Sequence, residues 1–352
     1  MMIEPDVVLF RADAAASFGT GHVMREMALA EGLADAGTIC QFAMASSPPA
    51  ILERLRNARF AVHMIDAEAG SAEDAKATAT LARTLGAKAL VLDGYHFDAA
   101  YRLRLRTSGC RILAFDDLAT LPHLHADIVV NAAPEAHRLP YPRIAPGALL
   151  LLGSDHVMLR RDIRSAIASP RRAVADRTSL LMTLGGSDPL GLTAPCIERL
   201  APALPAGCRL TVVVGGGDPR AEAVAAAGAR FADRVAVRHA TLAMGALMAE
   251  AGLAVSAGGT TIGELAALQV PTLLVVVADN QVPAAAHTVR SGWCLALDGR
   301  APDAPDRIAQ NAVALWHDPA RRSAMAEQAR GLVDGRGVER VAAALLGKPR
   351  TT

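Results

Sequence analysis

The chain has 352 residues, of which 52% are apolar and 3% aromatic, and its formal net charge is +1. A chain of this length can bury two ordinary hydrophobic cores, and we therefore predict two domains. Acidic and basic residues are interspersed along the sequence, so nothing resembles the clustered positive charge of a nucleic-acid-binding surface.

The sequence gives no indication of export or membrane insertion. Residues 1–6 lack the basic region and the long apolar segment of a signal peptide. The apolar runs at 180–184, 210–214 and 272–277 are too short to span a bilayer. The five cysteines are scattered and show no C-x-x-C spacing. We therefore expect a cytoplasmic protein with reduced thiols.

Strand-like and helix-like segments alternate along nearly the whole chain, which is typical of doubly wound parallel sheets. The strands predicted in the first half are Val7–Phe10, Ile39–Met44, Ala61–Ile65, Ala89–Leu92, Arg111–Ala114 and Asp127–Val130. The helices predicted between the earlier strands are Val23–Ala36, Ala50–Ala58, Ala72–Leu85 and Ala99–Thr107.

The alternation weakens between residues 131 and 176, where prolines accumulate, and we predict the connection between the domains there. It then resumes with the predicted strands Ser179–Thr183, Arg209–Val214, Arg234–Val237, Ala254–Ser256, Thr272–Val276 and Cys294–Leu297. Residues 303–346 are predicted to be helical only. The expected domains are residues 1–165 and 166–352, with the last helix, about 336–352, packing back on the N-terminal domain.

The first candidate site follows the first predicted strand. A glycine turn and a helix start place His22 in the first helical turn at the carboxyl edge of a parallel sheet, where open α/β sheets bind ligands. A helix N-terminus disfavours imidazolium, so we expect His22 to be a neutral base near pH 7. The alternative is a glycine turn that only starts a helix, with His22 solvated.

In the second half, three predicted strands end in glycine turns, at 185–189, 215–219 and 257–261. Backbone N–H groups of such turns can hold a phosphate without a lysine. Glu264 follows the last turn and could accept hydrogen bonds from two ribose hydroxyls. No P-loop and no dinucleotide fingerprint is present, which disfavours an ATPase and a nicotinamide enzyme. The alternative is that these glycines simply end strands.

Two first-half strands end in acidic residues, Asp93 in Asp93-Gly94-Tyr95-His96 and the pair Asp116-Asp117. No spaced set of His, Asp and Glu completes a metal site, so we expect neither metal nor cofactor. We interpret Asp117 as a solvated turn carboxylate. Asp279-Asn280-Gln281 follows the apolar run at 272–277. The alternative to a ligand-binding role for this segment is a helix N-cap formed by Asp279 or Asn280.

Taken in chain order, these motifs resemble the UDP-sugar hydrolase family of the pseudaminic acid pathway, which removes UDP from UDP-2,4-diacetamido-2,4,6-trideoxy-β-L-altropyranose. The similar segments are residues 10–13, 19–25, 93–95, 115–117, 126–131, 151–153, 159–160, 184–189, 257–261 and 278–281. The first glycine–histidine element and the late Gly-Gly element with Glu264 are also similar to nucleotide-sugar glycosyltransferases related to MurG.

The resemblance implies an α/β protein of GT-B architecture, with two Rossmann-like domains whose parallel sheets face a central cleft, and with UDP held mainly by the C-terminal domain. It implies metal-independent hydrolysis, in which water attacks the anomeric carbon with inversion and releases a sugar for surface or flagellin glycosylation. We expect a monomer whose partner is the UDP-sugar substrate, with no nucleic acid and no membrane insertion.

Carried over by position, the resemblance implies that His22 activates the water and that Tyr95 and Asn280 lie on the sugar side of the active site. The substrate-binding residues that it implies are Asp13, Gly19, Thr20, Gly21, Arg25, Gly185, Gly186, Ser187, Gly258, Gly259, Thr260, Thr261, Glu264 and Gln281.

Two other functions fit the same residues. In a UDP-sugar-dependent GT-B glycosyltransferase, His22 would deprotonate an acceptor hydroxyl, because acid–base catalysis is alike for water and for an acceptor. In a nucleotide-sugar-binding regulator no catalysis would occur, and the presence of His22, Tyr95 and Asn280 argues against it. Segments 45–75 and 95–110 show no apolar and basic stretch suited to a membrane-bound acceptor, which favours hydrolysis.

Overall fold

The computed structural model describes residues 5–14, 21–216 and 218–347, and the side chains of Asn280 and Pro283 lie outside this description. The chain divides into two compact units. Unit 1 is Met1–Arg161 together with Gly335–Thr352, and unit 2 is Asp162–Asp334. The boundary in the structure therefore lies just before the predicted one at 165/166.

In the described part of unit 1, seven parallel strands form one sheet in the order β3-β2-β1-β4-β5-β6-β7. The strands are β1 (Val7–Ala12), β2 (Ile39–Met44), β3 (Ala61–Met64), β4 (Ala89–Asp93), β5 (Arg111–Phe115), β6 (Ile128–Asn131) and β7 (Leu149–Leu152). The helices are α1 (Gly21–Asp35), α2 (Pro49–Asn57), α3 (Ala72–Thr84), α4 (Ala99–Leu105), α5 (Tyr141–Ile144) and, at the chain end, α14 (Gly337–Leu346).

Strand β7 was not predicted, because the prolines around it suggested a connecting segment. Its four leucines pair in parallel with β6, from Ile128 opposite Leu149 to Asn131 opposite Leu152. The prolines lie outside the strand, where they remove no hydrogen bond from the sheet. Residues 131–161 are therefore part of unit 1.

In unit 2, as far as the chain is described, six parallel strands form a sheet in the order β10-β9-β8-β11-β12-β13. These strands are β8 (Ser179–Thr183), β9 (Arg209–Val214), β10 (Val235–His239), β11 (Ala251–Ala257), β12 (Thr272–Val276) and β13 (Cys294–Asp298). The helices are α6 (Arg161–Ala168), α7 (Thr193–Ala203), α8 (Ala221–Ala229), α9 (Met244–Glu250), α10 (Thr261–Ala267), α11 (Val282–Arg290), α12 (Ala304–Trp316) and α13 (Pro319–Ala329). The prediction of two Rossmann-like α/β domains with parallel sheets is confirmed.

Each sheet contains one point at which the strand order reverses direction. In unit 1 the chain moves outward from β1 to β3 and then restarts on the other side at β4, so the reversal lies between β1 and β4. In unit 2 it lies between β8 and β11. The loops that leave adjacent strands there diverge to opposite faces of the sheet, and the crevice at their carboxyl ends is where doubly wound sheets bind ligands.

The strands at both reversal points are buried, as expected for a parallel sheet covered by helices on both faces. All five residues of β4 and all seven of β11 are buried. In unit 1 the core also includes the apolar face of α14, where Val338, Val341 and Leu345 are buried. A Cβ added at Gly32 of α1 would lie 2.2 Å from the Val338 side chain, so the two helices approach closely. The last helix is thus built into the N-terminal core.

Within the described ranges, no helix is both long enough and apolar enough to cross a membrane.

A buried ionic network lies at the carboxyl end of β1, where the unit 1 crevice begins. The guanidinium of Arg11, at 0% exposure, donates two hydrogen bonds to the Asp74 carboxylate, at 3.1 and 2.6 Å, and one to Asp13 at 2.7 Å. Asp74 accepts three further bonds, from the backbone N–H of Gly70 and from the hydroxyls of Thr78 and Tyr101. Because every charge is buried, the network contributes to stability only while each partner is present.

Replacing Asp74 tests the network. Asp74→Ala leaves Arg11 with a single carboxylate partner, and we expect the free energy of unfolding to fall by about 3–5 kcal/mol, as when a buried ion pair loses one member. Urea unfolding followed by circular dichroism measures the change. Asp66→Ala, at an exposed position of the same unit, is the matched control and should alter the value by less than about 0.5 kcal/mol. Equal stabilities of the two variants would contradict the assignment.

Candidate active site

The carboxyl edge of unit 1 brings a histidine and an aspartate together at the reversal point. His22 is the second residue of α1, and Asp93 is the last residue of β4. Nδ1 of His22 lies 2.7 Å from Oδ1 of Asp93, and both side chains are buried. As a carboxylate, Asp93 can only accept, so Nδ1 carries the proton of this bond and Nε2 is left as the acceptor.

Arg25, about one helical turn after His22 on α1, orients the carboxylate of Asp93. Its Nε and Nη2 donate to the two oxygens of Asp93, each at 2.8 Å. The remaining face of the guanidinium donates to Asp117, at 2.8 and 3.0 Å. The Arg25 Cζ atom also lies 4.7 Å from the ring centroid of Phe115. This fork between two carboxylates fixes the orientation of Asp93, and through it that of His22.

The charges of this cluster shift the pKa values of His22 and Asp93. Burial alone lowers the pKa of His22, but the Asp93 carboxylate outweighs burial, and the net pKa is raised above the usual value of about 6.5. Burial alone raises the pKa of Asp93, but Arg25 and His22 together hold it well below its usual range. Asp93 therefore stays ionised at every pH at which His22 titrates.

Two expectations from the sequence are corrected here. We expected the helix N-terminus to disfavour imidazolium at His22, but the carboxylate beside it stabilises imidazolium and raises the pKa instead. We also interpreted Asp117 as a solvated carboxylate, whereas it accepts two hydrogen bonds from Arg25 and one from the Tyr95 hydroxyl at 3.2 Å. Neither could be foreseen, because both partners lie far away in sequence.

Tyr95 lies at the mouth of the cluster. Its ring meets that of His22 edge to face, with the centroids 4.7 Å apart, and the residue is 52% exposed. The preceding Gly94 permits this turn, because an added Cβ would lie 2.8 Å from the rings of His96 and Phe97. A half-exposed tyrosine beside a histidine is placed to contact a ligand as well as the protein.

The other residues predicted at this edge have different positions. The carboxylate of Asp13 is fully buried and binds Arg11, His96 and the backbone N–H groups of Ala45 and Ser46. It therefore holds the loop after β2 and the ring of His96, and a direct substrate contact stays a prediction. Gly21 begins α1 and is exposed. Gly19 and Thr20 lie outside the described residues.

In unit 2, the predicted residues Gly185, Gly186 and Ser187 form the turn after β8, one side of the reversal point. Gly185 has a φ of +92°, which favours glycine. The Arg220 guanidinium stabilises the turn by donating hydrogen bonds to three of its carbonyl oxygens, those of Ser187, Asp188 and Pro189. The turn is thus held by the protein itself, and both glycines remain exposed.

The turn after β11 forms the other side of the reversal point. It contains Gly258, Gly259 and Thr260, and Gly259 has a φ of +123°, which requires glycine. The amide of Gln281 accepts from the backbone N–H of Val277 at 3.0 Å and donates to the Gly258 carbonyl at 3.4 Å. Gln281 therefore links the loops after β11 and β12, and an added Cβ at Gly258 would collide with it.

Three more predicted residues flank this turn. Thr261 begins α10, and Glu264 lies in its first turn with 5% exposure. Asn280 is the middle residue of a 3-10 turn, Asp279–Gln281, and its side chain lies outside the description. The structure thus places all the described candidate residues at the carboxyl edges of the two sheets. Among the residues that the structure describes, no group of three or more His, Cys, Asp or Glu is arranged to hold a metal ion.

Sequence reasoning named Asp93 and Asp117 as acidic residues at strand ends but did not predict their contacts with His22 and Arg25. Asp93 ends a fully apolar strand and is followed by Gly94, which is a usable signal, because a carboxylate at that point must lie on the ligand-binding edge. Nothing in the sequence identified β4 as the neighbour of β1. That adjacency makes Asp93 the partner of His22.

The role of Asp93 is testable by titration. In Asp93→Asn, burial and the charge of Arg25 both lower the pKa of His22, with Asp117 as the remaining carboxylate. We therefore expect the pKa to fall from above to below about 6.5, measured by NMR of the imidazole and assigned with His22→Ala. Asp98→Asn, which removes the charge of an exposed helix cap, should leave it unchanged. An unaltered His22 titration in Asp93→Asn would show that the two groups do not interact.

The comparisons with known proteins agree with the fold described above. Residues 180–341 match the family model of the glycosyltransferase family 28 C-terminal domain. No curated protein sequence matches the chain at a significant level. Among solved structures, Acinetobacter baumannii MurG has a TM-score of 0.63 at 17% identity, covering 97% of this chain and 100% of that one.

Two further structures show the same likeness. The spinosyn forosaminyltransferase SpnP has a TM-score of 0.66 at 15% identity, covering 97% of this chain and 100% of that one. Anabaena HepE in complex with UDP-glucose has a TM-score of 0.61 at 14% identity, covering 97% and 99%. The chain therefore has the two-unit α/β fold of GT-B glycosyltransferases, and its residues 180–341 match the glycosyltransferase family 28 C-terminal domain.

Proposed function

We propose that the chain is an enzyme that transfers the sugar of a UDP-sugar to a hydroxyl nucleophile, with His22 as the general base. The observation that carries the proposal is the bond between Nδ1 of His22 and Asp93. It fixes the tautomer in which Nε2 can accept a proton, and it stabilises the imidazolium that forms when the nucleophile is deprotonated. As the nucleophile attacks the anomeric carbon, the bond from that carbon to UDP breaks.

The nucleotide half of the substrate is assigned to unit 2. The turns at Gly185–Ser187 and Gly258–Thr261 offer backbone N–H groups to the diphosphate, and Glu264 offers a carboxylate to the ribose hydroxyls. The family 28 match over residues 180–341 and the UDP-glucose held by HepE support a UDP-sugar as the ligand. Tyr95 and Asn280 are proposed to act on the sugar side.

An acceptor hydroxyl is the nucleophile that the comparisons favour. The matching family model and the MurG and SpnP structures all belong to glycosyltransferases. A UDP-sugar-dependent glycosyltransferase is therefore the first form of the proposal. In it, Nε2 of His22 takes the proton of the acceptor hydroxyl, and the acceptor oxygen forms the new glycosidic bond.

Water is the second candidate nucleophile, and the order of motifs in unit 1 favours it. Unit 1 lies almost entirely outside the matched range 180–341, and its segments 10–13, 19–25, 93–95, 115–117 and 126–131 resemble the UDP-sugar hydrolases of the pseudaminic acid pathway. In that form the enzyme is a cytoplasmic, monomeric hydrolase that releases a diacetamido-trideoxyhexose from UDP.

Removing the base should abolish turnover in either form. For His22→Ala we expect a loss of about 10²–10⁴ in turnover, the typical contribution of a general base. UDP affinity should stay within a few-fold of the wild type, because the proposed nucleotide contacts belong to unit 2. His137→Ala removes an exposed histidine of unit 1 and is the matched control. Near-normal turnover of His22→Ala would refute the role of His22.

The nucleophile is identified by incubating the protein with a panel of UDP-sugars in ¹⁸O-enriched water, with and without acceptors, and following products by NMR. A transferase releases UDP only with an acceptor. A hydrolase releases it without one, with label in the sugar hydroxyl and inverted configuration, because no carboxylate nucleophile is proposed. Label in the UDP phosphate would refute both forms. We expect EDTA to have no effect, since backbone N–H groups replace a metal at the diphosphate.

A further inference from the structure

A cavity lies at the edge of the unit 1 sheet opposite the His22 cluster, where β5, β6 and β7 begin. Its volume is about 480 Å³. The polar side chains that line it, here called the basic pocket, are Arg106, Arg111, His123, His125 and Asp127. β5 leads from Arg111 at this edge to Phe115 beside the His22 cluster, and its five residues span roughly 17 Å. The basic pocket is therefore separate from the candidate active site.

The positive charge of the basic pocket is only partly compensated. Asp127 is already engaged, since its Oδ2 accepts from the Arg106 guanidinium and from the backbone N–H of Ile112, both at 2.7 Å. The guanidinium of Arg111 donates to the carbonyl oxygen of Leu345 at 3.3 Å. Within the described ranges Arg111 forms no ion pair with a carboxylate. One full positive charge is thus left for an incoming anion.

The two histidines add directed N–H donors. Their rings stack with centroids 3.9 Å apart, and the backbone N–H of His125 donates to Nδ1 of His123 at 2.9 Å. That bond makes Nδ1 an acceptor and leaves the proton of neutral His123 on Nε2. His125 has a φ of +48°, an unusual conformation for a residue with a side chain and one that clusters at ligand sites.

The electrostatic environment of His125 favours a bound anion. Burial lowers its pKa, and so do the neighbouring basic groups His123, Arg106 and Arg102. Arg111 and Asp127 line the same cavity, and the carboxylate of Asp127 is shared with Arg106. An anion placed among these groups would reverse the balance and raise the pKa of His125.

We propose that the basic pocket binds the phosphate group of a small phosphorylated molecule. A guanidinium fork suits a tetrahedral oxyanion, and imidazole N–H groups complete the donor set. The volume lies in the range of small-molecule sites, about 300–1,000 Å³, and leaves room for an organic group beside the phosphate. The site goes beyond the proposed UDP-sugar reaction, since it lies at the other edge of the sheet.

The test uses the full chain saturated with UDP, so that the proposed nucleotide site is filled. Glucose 6-phosphate, inorganic phosphate, citrate and glucose are titrated by calorimetry and by NMR of the imidazoles. We expect glucose 6-phosphate to bind and to shift the signals of His123 and His125, inorganic phosphate to bind more weakly, and glucose not to bind. Arg111→Gln should weaken binding about 10-fold or more, as for a hydrogen bond to a charged group.

Arg56→Gln, an exposed arginine of the same unit, is the matched control and should bind normally. His123→Gln provides a second variant if Arg111→Gln fails to fold, and it too should weaken binding. Four outcomes would overturn the proposal: no binding of either phosphate probe, equal binding by Arg111→Gln and Arg56→Gln, binding of citrate without phosphate, or signals that shift only in the absence of UDP. None of these depends on turnover, so the proposed function can fail or hold independently.

Discussion

The candidate active site depends on the burial of one carboxylate, that of Asp93. At 1% exposure it has no solvent to stabilise its charge, and it is held ionised by two partners on the same helix, His22 and Arg25. Because α1 supplies both partners, the helix cannot shift along the sheet without leaving the carboxylate unpaired. An unpaired buried charge costs several kcal/mol. The position of His22 is therefore a consequence of electrostatics at the end of β4.

The surroundings of the His22–Asp93 pair include a second buried carboxyl group. Glu26 follows Arg25 on α1, is fully buried, and has no hydrogen-bond partner on either carboxyl oxygen among the described residues. Burial, together with the charge of Asp93, raises the pKa of Glu26 well above the usual value. Both effects favour the protonated form, which adds no negative charge beside Asp93.

The two units use the same topology for different chemistry. Each has a reversal of strand order at which two loops leave the sheet in opposite directions, between β1 and β4 in unit 1 and between β8 and β11 in unit 2. Unit 1 places ionisable side chains there, whereas unit 2 places glycine turns held by Arg220 and Gln281. A fold of this kind hosts many reactions, and the contents of these crevices are what distinguish them.

The sequence by itself determined most of the secondary structure and the two-unit α/β fold, because strand burial and helix periodicity are local patterns. Strands β2, β8, β9 and β12 have the predicted boundaries, and the glycine turns and His22 were recognisable as edge residues. Strand β7 was not predicted, since the prolines around it resemble those of a linker.

Only the tertiary structure decided which strands are neighbours, and hence which side chains meet. His22 and Asp93 are 71 residues apart, and Arg25 and Asp117 are 92 apart. A pKa depends on charges within a few ångströms, whatever their separation in sequence. The expectation that imidazolium is disfavoured at His22 and the expected solvated Asp117 were therefore wrong for one reason: the order β1-β4-β5 brings their partners to the same edge of the sheet.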